Sequence, residues 1–92
     1  MDLRELYYLN ALAEEQSISK AAERLYISQQ SLSNHIGNME RELGVKLFVR
    51  SPKLSLTYAG GLLVETATQI LDLYSQYQTK VGDINRHYLG ML

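Results

Sequence analysis

The sequence predicts a mainly α fold, in which three short helices and a small β-hairpin precede one long C-terminal helix. Apolar residues recur at helical spacing in three segments before Gly44, and short apolar runs flank a proline-containing turn after it. A heptad pattern then occupies the last third of the chain. Hydrophobic residues make up 46% of the 92 residues and charged residues 21%, which is typical of one small folded domain.

The first three helices are predicted from periodicity and from their capping residues. Apolar residues at steps of three or four predict a helix over residues 3–15 and a shorter one over 19–25. The third helix is bounded by Ser28 as N-cap and Gly44 as C-cap. Its apolar stripe consists of Leu32, Ile36, Met39 and Leu43, of which the first three are predicted to be buried.

The period of the apolar pattern changes after Gly44. Residues 47–49 and 54–56 are strand candidates around a turn that contains Pro52, and Thr57 can cap a helix over residues 58–88. One heptad seam runs along that helix, which indicates pairing with a second copy of the chain. The predicted dimer-interface residues are Leu63, Ala67, Ile70, Tyr74, Tyr77, Val81, Ile84 and Tyr88.

The second and third helices, joined by a tight turn, are typical of a helix-turn-helix, whose second helix enters the major groove of DNA. Amide and hydroxyl side chains on the face opposite the buried stripe are suited to hydrogen-bond base edges. These candidate base-reading residues are Gln29, Gln30, Ser33 and Asn34. Arg50 and Lys53 on the hairpin are candidate contacts to the backbone or an adjacent groove. Residues 28–57 carry four basic and two acidic side chains, so this segment is basic although the whole chain has a net charge of −1.

The order of residues is similar to a known family. Residues 19–36 (SKAAERLYISQQSLSNHI) resemble the helix-turn-helix signature of LysR-type transcriptional regulators, and residues 43–50 and 56–60 continue the resemblance. It implies a winged helix-turn-helix over residues 1–57, a dimerising linker helix over 58–88 and the start of a hinge over 89–92. An effector-binding domain for a small molecule would then follow outside this chain.

The resemblance also implies a function and roles for single residues. The function is sequence-specific binding of double-stranded DNA, with a homodimer reading an inverted-repeat operator and a tetramer as an option for a full-length protein. Gln29 and Ser33 match base-facing positions, Ser31 and His35 match positions beside the phosphate backbone, and Arg50 and Lys53 match the wing. Gln30 and Gly37 depart from the family pattern, which more often has proline and a basic residue at these positions. Independently of the resemblance, each of two residues has an alternative interpretation. Arg50 would form an ion pair or pack within the wing, and His35 would be an ordinary surface histidine without a DNA contact.

Other classes of function have little support in the sequence. There is no cysteine, no metal-ligand motif around His35 or His87, and no nucleophile–base pair, so no metal, cofactor or enzymatic activity is expected. No apolar run is long enough for a membrane span, and no secretion signal is present, which predicts a cytoplasmic protein without a membrane partner. The alternative is a winged helix that binds protein instead of DNA, a reading supported only by the net charge of −1.

Overall fold

The computed structural model describes the backbone of residues 1–90 and the side chains of residues 1–86. Within these residues the order of elements is α1 (Leu3–Glu15), α2 (Ile18–Leu25), α3 (Gln29–Leu43), β1 (Phe48–Val49), β2 (Ser55–Leu56) and α4 (Tyr58–Gly90). The predicted mainly α architecture with a small hairpin and a long last helix is confirmed.

The boundaries of the first three helices follow from their caps. The Ser17 hydroxyl accepts a hydrogen bond from the Lys20 backbone N–H at 3.2 Å, and the Ser28 hydroxyl accepts one from Ser31 N–H at 3.0 Å. Each bond satisfies an amide that has no partner inside the first turn of its helix. Gly44 ends α3 with a φ of 72°, a left-handed conformation that glycine adopts without steric cost.

One apolar core joins all four helices and the hairpin. Leu9, Leu12, Leu32, Ile36 and Met39 have no exposed surface, so the three stripe residues of α3 that are predicted to be buried do face the core. Leu43, the last apolar residue of that stripe, lies in the final turn of α3 and is 42% exposed. Ala21 and Ala22 of α2 are also buried, because short side chains let α2 lie close to its neighbours. The rest of the buried core cluster is Leu6, Tyr8, Leu47, Phe48, Ala67 and Leu71.

The hairpin is small and is fastened to α4 at its base. β1 and β2 pair antiparallel in the register Phe48↔Leu56, and each is one residue shorter than predicted. The Thr57 hydroxyl donates to the Lys46 carbonyl at 2.6 Å and accepts from the Gly60 N–H at 3.0 Å. Thr57 therefore caps α4 and ties its first turn to the segment that enters β1.

The long helix α4 has two different halves. Its 33 residues span about 50 Å, and the chain has a radius of gyration of 16.3 Å, compared with about 12 Å for a compact chain of this length. The first half completes the core through Ala67 and Leu71. The predicted boundary after residue 57 therefore separates the hairpin from α4, but residues on both sides of it belong to the same core. The second half projects beyond the core.

Two predictions about α4 need correction. Ala67 was expected in the dimer seam, but it is completely buried in the chain's own core, because the first half of α4 packs there. The helix also continues through Gly90, so residues 89 and 90 are helical instead of beginning a hinge. The side chain of Tyr88 and residues 91–92 lie outside the described part of the chain.

Candidate nucleic-acid interface

The face of α3 that points away from the core is polar and open. Because a helix turns by about 100° per residue, positions 30, 34, 37 and 41 lie opposite the buried stripe. Gln30, Asn34 and Arg41 are all exposed there, while Ser31 and Ser33 are half-buried at the edges of this face. Gln29 is in register with the buried stripe but is exposed, because it is the first residue of α3. We call this surface of residues 29–41 the α3 face.

Two of the predicted base-reading residues are in contact with each other. The Gln30 side-chain amide donates to the Asn34 side-chain carbonyl at 3.2 Å, one helical turn away. The Asn34 amide group and the Gln30 carbonyl then remain available, so the pair presents donors and an acceptor from adjacent turns. A donor and an acceptor side by side are what the major-groove edge of adenine requires.

His35 lies at the border between the α3 face and α1. Its Nδ1 is 2.8 Å from Oε2 of Glu5, and its ring meets the Tyr8 ring edge-on with the centroids 5.0 Å apart. An ionised carboxylate only accepts hydrogen bonds, so Nδ1 is the donor in the tautomer that bonds to ionised Glu5. The predicted phosphate-side residue is thus also a link between α1 and α3, which the sequence did not indicate because Glu5 and His35 are 30 residues apart.

The two acidic residues of the basic segment are both engaged. Glu40 Oε2 accepts from the Leu47 N–H at 2.7 Å, at the entrance to β1. Glu42 contacts the Met1 amine at 2.7 Å. Elsewhere, the Arg24 guanidinium donates to Glu14 and Glu15, and these hydrogen bonds raise the pKa of Arg24 above its ordinary value.

The cations of the same segment are instead directed to solvent. Arg50 directly follows β1 and Lys53 lies in the turn before β2; both are exposed, and neither forms an ion pair with the side chains of residues 1–86. The alternative in which Arg50 forms an ion pair thus finds no partner within those residues. The hairpin presents two unneutralised positive charges.

The structure adds Arg41 and Lys46, which the sequence analysis did not assign to the site. They line an open concavity of about 300 Å³ at the C-terminal half of α3, together with Gly37, Glu40, Gly44 and Val45. Arg41 follows Asn34 by seven residues, so helical periodicity alone could have placed it on the α3 face.

The other predicted surface is the apolar seam of α4. Ile70, Tyr74 and Tyr77 are 38%, 39% and 63% exposed, and Ile84 is 53% exposed. Val81 is half-buried, and Leu63 packs partly against the core. Leu73, which was not assigned to the seam, lies beside it and is 65% exposed. Apolar side chains therefore line the projecting half of α4, which the core of the same chain leaves uncovered.

Neither a metal centre nor a membrane-spanning element is found among the described residues. Those residues contain no group of three histidine or acidic side chains placed to bind a metal ion. Their helices also lack the length of apolar sequence that crossing a bilayer requires.

Comparison with protein families and curated relatives gives one consistent answer. Residues 3–61 match the family model described as bacterial regulatory helix-turn-helix protein, lysR family. The HTH-type transcriptional regulator BsdA of Bacillus subtilis (strain 168) is 36% identical over 94 aligned residues, which cover all of this chain and 32% of that protein. The chain thus spans about a third of the length of the curated relatives it matches.

Solved structures agree with the sequence matches. A crystal structure of the BenM DBD in complex with catB site 1 DNA has a TM-score of 0.87 and 39% identity, and covers 91% of this chain and 94% of that one. A crystal structure of the CbnR DBD–DNA complex has a TM-score of 0.86 and 34% identity, and covers 94% of this chain and all of the other.

Proposed function

We propose that this chain, which belongs to the lysR family of bacterial regulatory helix-turn-helix proteins, binds double-stranded DNA in a sequence-specific manner. The α3 face enters the major groove, and Gln29, Gln30, Ser33 and Asn34 contact base edges. Arg50 and Lys53 contact the sugar–phosphate backbone from the hairpin. The role is one of recognition in the cytoplasm, without catalysis or a cofactor.

The observation that carries this proposal is that α3 has one apolar side, which faces the core, and one polar side, which faces solvent as the cations of the hairpin do. The stripe that faces the core is wholly apolar, and the opposite face carries the Gln30–Asn34 amide pair. Both acidic side chains of residues 28–57 are engaged by other groups of the chain, while Arg50 and Lys53 point to solvent. A polyanion with hydrogen-bonding base edges fits this surface, although the chain as a whole has a net charge of −1.

We further propose that two copies of the chain act together. The exposed seam of α4 leaves apolar side chains in water, and a second copy supplies a matching surface. A twofold axis through paired α4 helices places two α3 helices on the same side of a duplex, so the pair reads an inverted repeat. In a full-length protein, an effector-binding domain for a small molecule would follow α4, and a tetramer could form.

The direct test is selection of duplexes from a random pool by the purified chain, followed by affinity measurements on the enriched sequence and on a scrambled one. We expect an enriched inverted repeat, tighter binding to it than to the scrambled duplex, and affinity that falls steeply as the salt concentration rises. Absence of any enriched sequence, together with capture of duplexes regardless of salt, would contradict the proposal.

Two matched variants separate base contacts from backbone contacts. Asn34→Ala is expected to cost about 1–3 kcal/mol on the enriched duplex and to relax selection at one base pair, because it removes a base-edge partner. Lys53→Ala is expected to weaken binding to both duplexes equally and to reduce the salt slope by about one for each bound copy. If Asn34→Ala left the selected sequence unchanged, the assignment of the α3 face to base reading would be wrong.

A further inference from the structure

Arg41 has an unusual position on the α3 face because of the residue that precedes it by one turn. An added Cβ at Gly37 would lie 3.4 Å from Nη1 of Arg41, so the guanidinium rests directly over the glycine. Long side chains on a helix lean toward its N-terminus, and the absence of a side chain at position 37 lets Arg41 follow that direction without obstruction.

A second contact holds the guanidinium in this position. Nη2 of Arg41 donates a hydrogen bond to the side-chain carbonyl of Asn38, which lies in the same turn as Gly37. No carboxylate among residues 1–86 forms an ion pair with Arg41. The positive charge is therefore oriented by a neutral partner and remains uncompensated.

The displacement along the helix matters for a groove-binding element. Four residues correspond to about 6 Å of helix, so the charge of Arg41 lies roughly one turn nearer the N-terminal end of α3 than its own Cα. The first two turns of a recognition helix contact base edges, whereas its third turn passes the rim of the groove, where the phosphates are. Lys46 lines the same concavity and adds a second positive charge.

We propose that Arg41 contacts a DNA phosphate, and that glycine at position 37 provides the space through which its guanidinium reaches that phosphate. This inference rests on the proposed DNA binding. It assigns to Gly37 a role in recognition, although glycine is a poorer helix former than alanine. Asn38 acts as a positioning residue that orients the guanidinium.

The contact is tested by anisotropy titrations of the enriched duplex and its scrambled control at several KCl concentrations. Arg41→Ala is expected to lower affinity for both duplexes on the order of tenfold for each bound copy, because one charge-assisted hydrogen bond is lost. The salt slope should fall by about 0.9 per copy, while Arg41→Lys should retain most of the slope. A change in the selected base sequence, or an unchanged salt slope, would overturn the phosphate assignment.

The role of Gly37 is tested by a double-mutant cycle. Gly37→Leu fills the space that the guanidinium occupies, so affinity should fall in the wild-type background but not in the Arg41→Ala background. Gly61→Leu is the matched control, because a Cβ at Gly61 meets nothing within 4 Å and the gain in helix propensity is the same. A Gly37→Leu loss of equal size in both backgrounds would show that Gly37 does not act through Arg41.

Failure of this inference can be distinguished from failure of the proposed function. Suppose that the wild-type chain binds the enriched duplex with a steep salt dependence and that Arg41→Ala leaves its affinity unchanged. The proposed function would then stand, and the inference about Arg41 would be wrong. A wild-type chain that binds no duplex at any salt concentration overturns both. Circular dichroism of each variant shows whether its helices are intact, and Gly37→Gln repeats the test if Gly37→Leu folds poorly.

Discussion

Glu5 is a charged side chain buried between α1 and α3, with 8% of its surface exposed. A buried carboxylate is costly unless it has hydrogen-bond or charge partners, and Glu5 has His35 at 2.8 Å and the Met1 amine at 3.8 Å. The Tyr8 ring meets the imidazole edge-on, and Arg4 in turn lies over the Tyr8 ring. His35 therefore contributes to the attachment of α3 to α1, whatever it contacts on DNA.

At this scale we expect His35→Ala to lower the free energy of unfolding by about 1–3 kcal/mol, because Glu5 loses its nearest partner while it stays buried. Urea denaturation followed by circular dichroism measures this change. Asn34→Ala is the matched control on the same helix: its side chain is exposed, and its loss should change stability by less than about 0.5 kcal/mol. Equal urea midpoints for the two variants would show that the Glu5 contact does not stabilise the fold.

Single residues also show why part of the site could not be predicted from the sequence. The exposure of Gln30 and Asn34 follows from helical periodicity, which the sequence displays directly. Gln29 is exposed although it is in register with Ile36, because it is the first residue of α3. The position of the Arg41 guanidinium depends on the space above Gly37, and the Glu5–His35 contact joins residues from two helices. Contacts of these kinds depend on side-chain conformation and helix packing, and neither leaves a periodic signal.

At the scale of elements, the junction between the hairpin and α4 depends on Gly60. An added Cβ at Gly60 would lie 2.0 Å from the Leu47 carbonyl oxygen and 3.0 Å from a methyl group of Leu56. Glycine here allows the first turn of α4 to approach the backbone that enters β1. The Thr57 hydrogen bonds to Lys46 and Gly60 hold the two segments at this distance.

We therefore expect Gly60→Ala to destabilise the chain by about 1–3 kcal/mol, because backbone atoms must move to relieve the overlap. Gly61→Ala, one residue further along α4, should instead stabilise it by up to about 1 kcal/mol, because alanine is the better helix former and its Cβ meets nothing within 4 Å. The two urea midpoints should move in opposite directions. A Gly60→Ala midpoint that rose together with that of Gly61→Ala would mean that the hairpin accommodates the extra carbon.

The secondary-structure elements were largely predictable, because the residues that cap the helices are recognisable in the sequence. Ser28 and Gly44 mark the limits of α3 in the sequence as they do in the structure, because capping requires particular side chains and backbone angles. Ala67 was assigned wrongly because one heptad pattern serves two surfaces: in the first half of α4 it packs on the chain's own core, and further on it stays exposed. Periodicity reports that a stripe is apolar but does not identify what covers it.

At the scale of the whole molecule, the chain has a compact part and a projecting part. The compact part, called the head below, consists of α1, α2, α3, the hairpin and the first half of α4; the projecting part, called the rod, is the second half of α4. The principal extents are 59 × 24 × 20 Å, and the long dimension comes from α4. Ile70, Tyr74, Tyr77 and Ile84 lie at heptad positions along α4, with Val81 between the last two. Apolar area in water costs roughly 25 cal/mol for each square ångström, so pairing of two rods is favourable. Pairing would also hold two α3 faces at a fixed separation, which an inverted repeat requires.

The final prediction concerns this pairing and uses Tyr77→Glu, which places a charge in the middle of the exposed seam. In a symmetric pair the substitution introduces two carboxylates into an apolar contact, where unpaired charges are costly, so sedimentation should change from dimer to monomer. The affinity for the enriched inverted repeat should then fall to that for a single half-site. The isolated head remains folded by circular dichroism, because Tyr77 is 63% exposed and lies outside the core.

Gln76→Glu is the matched control for Tyr77→Glu, because it adds the same charge to an exposed side chain about 100° around the helix from Tyr77. It should leave the sedimentation coefficient and the DNA affinity close to those of the wild type. If both variants dissociated equally, the dissociation would be caused by added negative charge anywhere on α4, and not by the position of that charge in the seam. A wild-type chain that sediments as a monomer at high micromolar concentration would contradict pairing through α4, because burial of the exposed tyrosines and isoleucines would then not outweigh the entropy lost on association.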